Sequence, residues 1–389
     1  MKLRQQPSDF RVRERLEADL DPAGAWGLYR LEKRGSTTEA AVAELARRLR
    51  MDRRQVGVGG LKDAHAETAQ HITLPGPAQP RLTGRGWVLQ PLGRVREPLR
   101  PGATSGNAFE ILIRDLTSEQ ARSAVDRAAQ ARAGVPNYFD AQRFGSLAGG
   151  QGFAAKEWIA GRFEEGLKNL LATTYRGMDA REKRLKDIVA KGWGNWAQVA
   201  SALPPSEAQG VAGYLRDHPG AFSGALRRLH ETTRWRTMAA YQSHLFNEIL
   251  QRHLRRTVPG GVDVEIRSGI LYFPLEGKAE PAALARERWP LPRKNVIVPP
   301  GIEEDVAAVL QREGTTMDAL KVAGARLDFP KGERAPWVIP EGLKAEAPVA
   351  DELNQGKSAV KVSFALPPGS YATVVIKRLT YDCRHTFRG

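Results

Sequence analysis

The chain has 389 residues, of which 41% are hydrophobic, so it can form two folded domains and is too apolar to be disordered. Lys and Arg total 59 against 44 Asp and Glu, a formal charge of +15. No apolar run is long enough to cross a bilayer, and the N-terminus lacks the apolar core of a signal peptide. We expect a soluble, cytoplasmic protein with a polyanionic partner, RNA or DNA before membrane, although a merely basic soluble protein also fits.

Cysteine and histidine usage gives no metal signature. The one cysteine, Cys383, cannot form an internal disulfide, and the seven histidines are scattered along the chain. The sequence therefore predicts neither a structural metal nor a disulfide framework.

The first clear helix is predicted over residues 36–51, "STTEAAVAELARRLRM". Ser36 and Glu39 have the spacing of a capping box, and the apolar side chains that follow fall on one helical face.

A short strand that runs into a turn is predicted at 55–60, "QVGVGG", and a return strand at 69–76, "AQHITLPG". Asp63 is thereby predicted to lie on a connection that a sheet holds at both ends. Such connections often present catalytic side chains.

The segment 106–116, "GNAFEILIRDL", alternates as a half-buried strand does. Thr117 or Ser118 is predicted to cap a helix that runs to about Arg132 and ends at Gly134.

Beyond residue 152 the character of the chain changes. Residues 153–255 are mainly helical in pattern, and 258–350 are rich in Pro and Gly with short strand-like pieces. The segment 358–379, "SAVKVSFALPPGSYATVVIKRL", is predicted to form two strands around a Pro-Pro-Gly turn. Sheet character at both ends predicts an inserted middle domain.

Three groups of residues could carry chemistry, and the first is "GGLKDAHAETAQ" (59–70). Its glycines allow a sharp turn and the close approach of a ligand. Asp63 could act as a nucleophile or base if a cation such as Lys62 supported its charge, although adjacent residues of an extended chain point to opposite sides. The alternative is an aspartate that stabilises its own turn.

The second group is "GNAF" (106–109). Asn107 could contact a base edge or hold a backbone segment, and Phe109 could stack on a base. Phe109 also heads the apolar face of its strand, and pattern alone favours a core residue.

The third group is "NYFDAQRFG" (137–145). Its aromatic residues, with Gln142 and Arg143, combine stacking surface with donors suited to phosphate or base. The alternative is an aromatic corner that packs the end of a helix.

The stretches "PSDFRVRERL", "GGLKDAHAETAQ", "GNAF", "VPNYFDAQRFG", "SHLFNEIL" and "SFALPPGSYATVVIKRL", in this order, resemble the TruD family of pseudouridine synthases. The resemblance covers the first 150 residues and about the last 30 well, and the middle in patches. It implies an α+β fold, with a pseudouridine-synthase-like catalytic domain on a mixed or antiparallel sheet and an inserted α/β TRUD domain. The predicted ranges are 1–152 with 345–389 for the catalytic domain, and 153–344 for the insert.

The resemblance also implies roles for single residues. Asp63 matches the family's catalytic aspartate, and Phe109 matches the aromatic that stacks on the target uracil, with Asn107 beside it. Gln142 and Arg143 lie in the family's third signature without a specific role.

The family has a basic residue, commonly lysine, near its N-terminus next to the catalytic acid. The matching position here is Arg4, a departure because guanidinium and ammonium differ in geometry. Lys2 or Lys62 could take the role instead.

The implied activity is the isomerisation of uridine to pseudouridine, usually at position 13 in the D arm of tRNA, without cofactor or metal. Asp63 would attack the sugar or abstract a proton from it. A monomer is expected. A non-catalytic RNA-binding protein and a glycosidase that releases free base are the alternatives, and the second lacks an apparent carboxylate pair. A basic cluster is either a phosphate-contacting face or a solvated helix face: Arg227, Arg228, Arg234 and Arg236.

Overall fold

The computed structural model describes residues 1–60, 62, 66–145, 152–175, 178–266, 268–275, 281–325, 327–383 and 386–387. The chain divides into two compact units: Met1–Val135 with Val338–Gly389, and Pro136–Trp337. The second unit begins earlier than the predicted insert, 153–344, and ends slightly before it. Across the described ranges, no helix is both long and apolar enough to span a membrane.

Short and long strands occur in both units. In chain order they are β1 (Lys2–Leu3), β2 (Phe10–Arg15), β3 (Trp26–Arg34), β4 (Gly57–Val58), β5 (Glu67–Pro75), β6 (Leu82–Gly84), β7 (Trp87–Val95), β8 (Gly106–Leu116), β9 (Val135–Pro136), β10 (Gly261–Ile266), β11 (Gly269–Pro274), β12 (Trp289–Pro290), β13 (Lys321–Val322), β14 (Leu327–Asp328), β15 (Glu333–Arg334), β16 (Trp337–Val338), β17 (Glu341–Ala345), β18 (Val349–Ala350), β19 (Ser358–Leu366) and β20 (Thr386–Phe387).

Most helices belong to the second unit. In chain order they are α1 (Thr38–Arg48), α2 (Ser118–Ala131), α3 (Ala154–Ile159), α4 (Phe163–Leu171), α5 (Ala180–Lys191), α6 (Trp196–Ala202), α7 (Glu207–Asp217), α8 (Phe222–Ala225), α9 (Glu231–Thr257), α10 (Pro281–Arg286), α11 (Glu303–Arg312) and α12 (Ala372–Leu379).

The first unit is built on one mixed sheet with the strand order β17-β19-β8-β2-β5-β3-β7-β6. Strands β2 and β5 are parallel, and the other neighbours in this order are antiparallel. Strand β19 pairs with β8, so segments from the two ends of the chain are neighbours in one sheet. The sheet and its helices confirm the predicted α+β class.

Helices pack on this sheet through two apolar clusters. In β8, Phe109, Ile111 and Ile113 are buried as the alternation predicted, and they share a cluster with side chains of α2 and α12. The second cluster joins Val42 and Leu45 of α1 to side chains of β3, β5 and β7. Fully burying one such side chain stabilises the fold by about 1.5–3 kcal/mol.

Two local predictions were wrong. The second strand predicted within 358–379 is helix α12, because Ala372, Val375, Ile376 and Leu379 repeat at helical spacing and all enter the core. The β-branched residues favoured a strand locally, and this packing overrides that preference.

The cap of α1 also differs from the prediction. The N-cap is Thr37, whose side chain accepts a hydrogen bond from the Ala40 N–H, and Ser36 precedes it. By contrast, Thr117 caps α2 in a capping box with Gln120, and Thr117 was one of the two caps predicted for this helix.

The second unit is organised around the 27-residue helix α9. Its residues from Thr237 to Leu250 are buried except His244, which is partly exposed, so most of the helix circumference contacts protein. Helices α3 and α11 and strand β11 pack against it. A helix buried on most sides is typical of the centre of a domain.

Candidate active site

The connection between β4 and β5 carries the predicted catalytic residue. Asp63 itself lies outside the described residues, whereas Gly60 and Lys62 on its N-terminal side are described. The Lys62 N–H donates to Thr38 Oγ1 (3.0 Å), and the Gly60 carbonyl accepts from Gln70 Nε2 (3.2 Å). Thr38 in turn donates to Gln70 Oε1 (2.8 Å). Two buried side chains, one from α1 and one from β5, therefore fix the backbone that leads into residue 63.

The two glycines before this connection have different reasons to be glycine. Neither adopts a positive φ, so the predicted sharp turn does not use the left-handed region. A β-carbon on Gly59 would lie 2.7 Å from Thr104 Cγ2, so any other residue there would require the Thr104 side chain to shift. A β-carbon on Gly60 would meet nothing nearer than Lys62 Nζ at 3.8 Å. Gly59 is thus favoured by packing against Thr104, whereas the space beside Gly60 is open.

Lys62 pairs with a buried carboxylate that the sequence analysis did not single out. Its Nζ lies 2.9 Å from Glu14 Oε1, and the Glu14 side chain has no exposed surface. Glu14 Oε2 also accepts from the His71 N–H (2.7 Å) and lies 3.2 Å from His71 Nδ1. Burial alone would raise the pKa of Glu14, but His71 and the charge of Lys62 outweigh it, and the pKa is lowered. The Lys62 charge is therefore committed to Glu14.

A second cation was missed by the sequence analysis. Lys33 on β3 is 4% exposed, and its Nζ donates to the carbonyls of Ser36 (2.8 Å) and Lys62 (3.2 Å). The Lys62 carbonyl belongs to the peptide that joins residue 62 to residue 63. The signal was available, because Lys33 continues the buried alternation of β3, where an apolar residue is expected.

Lys2, the other alternative to Arg4, is tied elsewhere in the first unit. Its Nζ donates to Asn354 Oδ1 and lies 3.7 Å from Asp115 Oδ2.

Arg4 is connected to Phe109 by a row of aromatic rings. Its guanidinium carbon lies 4.1 Å from the centre of the Phe10 ring, and Phe10 meets Phe109 edge-on at 6.3 Å. Phe109 also contacts Phe364 at 5.5 Å and is 9% exposed, as the core interpretation predicted. Arg4 has a φ of +57°, a left-handed conformation that is uncommon for arginine and frequent at functional sites.

Asn107 lies opposite Glu14 in the pairing of β8 with β2. Its Oδ1 is buried and accepts no hydrogen bond from any described residue. The preceding Gly106 has a φ of +149°, and a β-carbon there would overlap the Leu366 carbonyl oxygen. The glycine of "GNAF" therefore lets β8 pair with β19, and the asparagine offers a free acceptor.

Gln142 and Arg143 belong to the second unit, on a short 3₁₀ helix over Ala141–Phe144, whereas the other predicted site residues belong to the first. Gln142 is exposed, and Arg143 Nε donates to Ser243 Oγ (3.0 Å). The three aromatic residues of this segment are buried, so the aromatic-corner interpretation describes them: Tyr138, Phe139 and Phe144.

No group of three His, Cys, Asp or Glu side chains suited to a metal occurs among the residues that the structure describes. The first unit thus combines a backbone held at Gly60 and Lys62, just before Asp63 in the sequence, with two lysines of low exposure, a free amide oxygen and aromatic rings. Such a set suits acid–base or nucleophilic chemistry on a planar, polar substrate.

Comparison with known proteins identifies this chemistry. The family model for tRNA pseudouridine synthase D (TruD) matches residues 1–273. A relative from Methanococcus maripaludis, named as a probable tRNA pseudouridine synthase D 1, is 31% identical over 97% of this chain and 99% of its own. The tRNA pseudouridine synthase D of Aquifex aeolicus is 28% identical over 97% and 98%.

A solved structure agrees with these relatives. The crystal structure titled as that of TruD from Methanosarcina mazei aligns with a TM-score of 0.74 and 25% identity, covering 97% of this chain and 93% of that one. The protein is therefore a pseudouridine synthase, an isomerase that converts uridine to pseudouridine. Within that class, the chain belongs to the TruD family of tRNA pseudouridine synthases.

Proposed function

We propose that the chain isomerises the uridine at position 13 in the D arm of tRNA and that Asp63 is its catalytic residue. Asp63 comes from the sequence motif "GGLKDAHAETAQ", which lies inside the range matched by the family model, and position 13 comes from the resemblance of the whole chain to the family.

One observation carries the assignment of Asp63. The peptide before residue 63 is held at its carbonyl by Lys33, and the N–H of the same residue, Lys62, by Thr38. A carboxylate presented from a backbone fixed in this way meets its substrate in a narrow range of geometries, and such positioning supplies much of the rate in enzymes.

The reaction breaks the N1–C1′ bond, turns the detached uracil and joins C5 to C1′; the C5 hydrogen leaves as a proton, and N1 takes up a proton in its place. The carboxylate either attacks the sugar or abstracts a proton from it. In both cases it must be ionised, and nearby cations keep a carboxylate ionised by lowering its pKa. Lys33 and Arg4 are the proposed cations, because the ammonium of Lys62 is paired with Glu14.

Two residues of β8 are proposed to contact the uracil. The free Oδ1 of Asn107 suits the N3–H of the base. Stacking by Phe109 requires its aromatic neighbours to uncover one face of the ring, because 9% of the residue is accessible.

The same proposal includes the roles of the two units, the oligomeric state and the cellular location. The first unit would be the catalytic domain and the second the TRUD domain, with Gln142 and Arg143 contributing to RNA binding. The enzyme would act as a monomer in the cytoplasm.

The test is release of tritium from tRNA labelled at uridine C5, because attachment through C5 must expel that hydrogen. Asp63→Asn should lower release about a thousandfold or more and leave the Kd for tRNA within threefold of wild type. A transcript with cytidine in place of uridine 13 should release nothing above background with the wild-type enzyme.

Asp19→Asn is the matched control, since Asp19 is exposed and belongs to the same unit. It should behave as wild type. Release by Asp63→Asn at the wild-type rate would show that Asp63 is not the catalytic residue. Release from the cytidine-13 transcript would show that position 13 is not the target. Release of free uracil would instead indicate a glycosidase.

A further inference from the structure

Trp235 is a tryptophan on the outside of the protein. It lies in the second turn of α9 and is 50% exposed, whereas the other seven tryptophans are buried or partly buried. An exposed indole leaves a large apolar surface in water, and tryptophan is enriched at interfaces.

The indole is backed by a fixed guanidinium. The guanidinium carbon of Arg143 lies 5.4 Å from the Trp235 ring centre and 5.5 Å from that of Phe139. Arg143 Nε donates to Ser243 Oγ, which donates to the Ala239 carbonyl one helical turn before it. The side chain behind the indole is therefore anchored to α9 itself, and it restricts the positions that the Trp235 ring can adopt on that side.

The arginines near Trp235 in the sequence have no acidic partner in the part of the chain that the structure describes, although Glu207 accepts from the His230 N–H and the Thr233 hydroxyl of the same segment. The segment 227–236, "RRLHETTRWR", holds four arginines and one glutamate. Within the described residues, none of these four arginines lies within ion-pair distance of a carboxylate, and Arg227, Arg228 and Arg236 are exposed.

The opposite end of α9 shows the contrast. There Arg252, Arg255 and Arg256 each pair with a carboxylate, from Asp305 or Asp263. Cations left without acidic partners attract polyanions, whereas paired cations do so weakly.

We propose that Trp235, backed by Arg143, is a stacking platform for an unpaired base of the RNA substrate, and that Arg227, Arg228 and Arg236 contact the adjoining phosphates. A flat aromatic ring beside basic side chains is the usual means of binding single-stranded nucleotides. The inference rests on the proposed function, in which tRNA is the substrate, and adds to it a contact on the second unit.

The test compares Kd for a tRNA transcript at fixed salt among wild type, Trp235→Ala, Trp235→Phe and Ile297→Ala. Ile297 is 91% exposed in the same unit and serves as the matched control. Trp235→Ala should raise Kd about 10- to 100-fold, Trp235→Phe should stay within about fivefold of wild type, and Ile297→Ala should be unchanged. Arg236→Ala should reduce the slope of log Kd against log salt by about one.

Intrinsic fluorescence gives a second measurement, which does not depend on the stability of the alanine variant. Stacking should quench Trp235 when oligouridine is added, and Trp235→Phe should lack that part of the quenching. An unchanged Kd for Trp235→Ala, or equal quenching in wild type and Trp235→Phe, would overturn the platform. Both measurements use binding alone, so absence of tritium release by the wild type would count against the proposed function and leave this inference to be decided separately.

Discussion

Each unit holds a largely buried carboxylate between a lysine and a histidine. In the first unit, Glu14 contacts Lys62 and His71. In the second unit, Glu313 contacts Lys156 at 2.8 Å and His244 at 3.5 Å, and also accepts from the Tyr241 hydroxyl. In both cases burial would raise the pKa of the carboxyl, and its partners lower it instead.

The two clusters differ in the structural elements that each carboxylate joins. Glu313 caps α11, and its partners lie on helices α3 and α9, so the cluster joins three regular elements. Glu14 and His71 also lie on regular strands, but Lys62 belongs to the irregular connection that carries Asp63. The same three residue types therefore stabilise a helix packing in one unit and position a loop in the other. The elements that they join decide the role, and residue types alone do not.

Glu14→Gln should show the largest difference between the two clusters, because it should lower the reaction rate as well as the stability. The neutral side chain leaves Lys62 without its charge partner, which costs about 3 kcal/mol or more of stability for a buried pair and frees the connection to move. Misplacing a catalytic group by about 1 Å can cost about 100-fold in rate. We expect a decrease of that order in the single-turnover rate of tritium release at saturating enzyme.

Glu17→Gln is the matched control, an exposed glutamate three residues further along the chain. It should retain the wild-type rate. If Glu14→Gln lost stability but kept its rate per folded molecule, then Glu14 would be a structural residue like Glu313.

Glu313→Gln should lower stability and leave the reaction unchanged. The pKa of Glu313 is lowered from 4.5 to about 2, a shift that corresponds to about 3 kcal/mol. Urea unfolding followed by tryptophan fluorescence suits this variant, because six of the eight tryptophans lie in the second unit. The tritium-release rate of the folded variant should match wild type, and a tenfold decrease would contradict the distinction between the clusters.

The stability that Glu313 contributes should depend on pH in a defined direction. Its pKa is lower in the folded state, so this contribution is complete above about pH 4.5 and decreases as the pH falls toward about 2. The difference in unfolding free energy between wild type and Glu313→Gln should therefore shrink as the pH is lowered through that window. A difference that stayed constant from pH 7 to pH 3 would show that Glu313 acts by packing and not by charge.

Patterns within a single element could be predicted from the sequence, and contacts between distant elements could not. Strand β8 matches the predicted 106–116, because alternation is a local property. Helix α12 was missed, although its spacing of apolar residues is helical, because its β-branched residues suggested a strand.

Within the candidate site, Asp63, Asn107 and Phe109 were predicted through motifs and remain predictions, whereas Glu14 was not singled out. Its partners lie 48 and 57 residues away in the chain, and only the strand pairing reveals them. Lys33 could have been found, since a lysine on the buried side of a strand is rare unless it is paired.

The pairing of β8 with β19 has a consequence for the order of synthesis. About 200 residues of the second unit are translated between these two strands, and ribosomes add roughly 5–20 residues per second. For roughly 10–40 s, the edge of β8 that later binds β19 has no strand beside it, and the ring of Phe109 lacks Phe364. The first part of the nascent chain therefore has an unpaired strand edge until about the last 50 residues are made. An unpaired edge can pair with another chain and aggregate, so the risk of aggregation depends on how quickly the intervening segment folds.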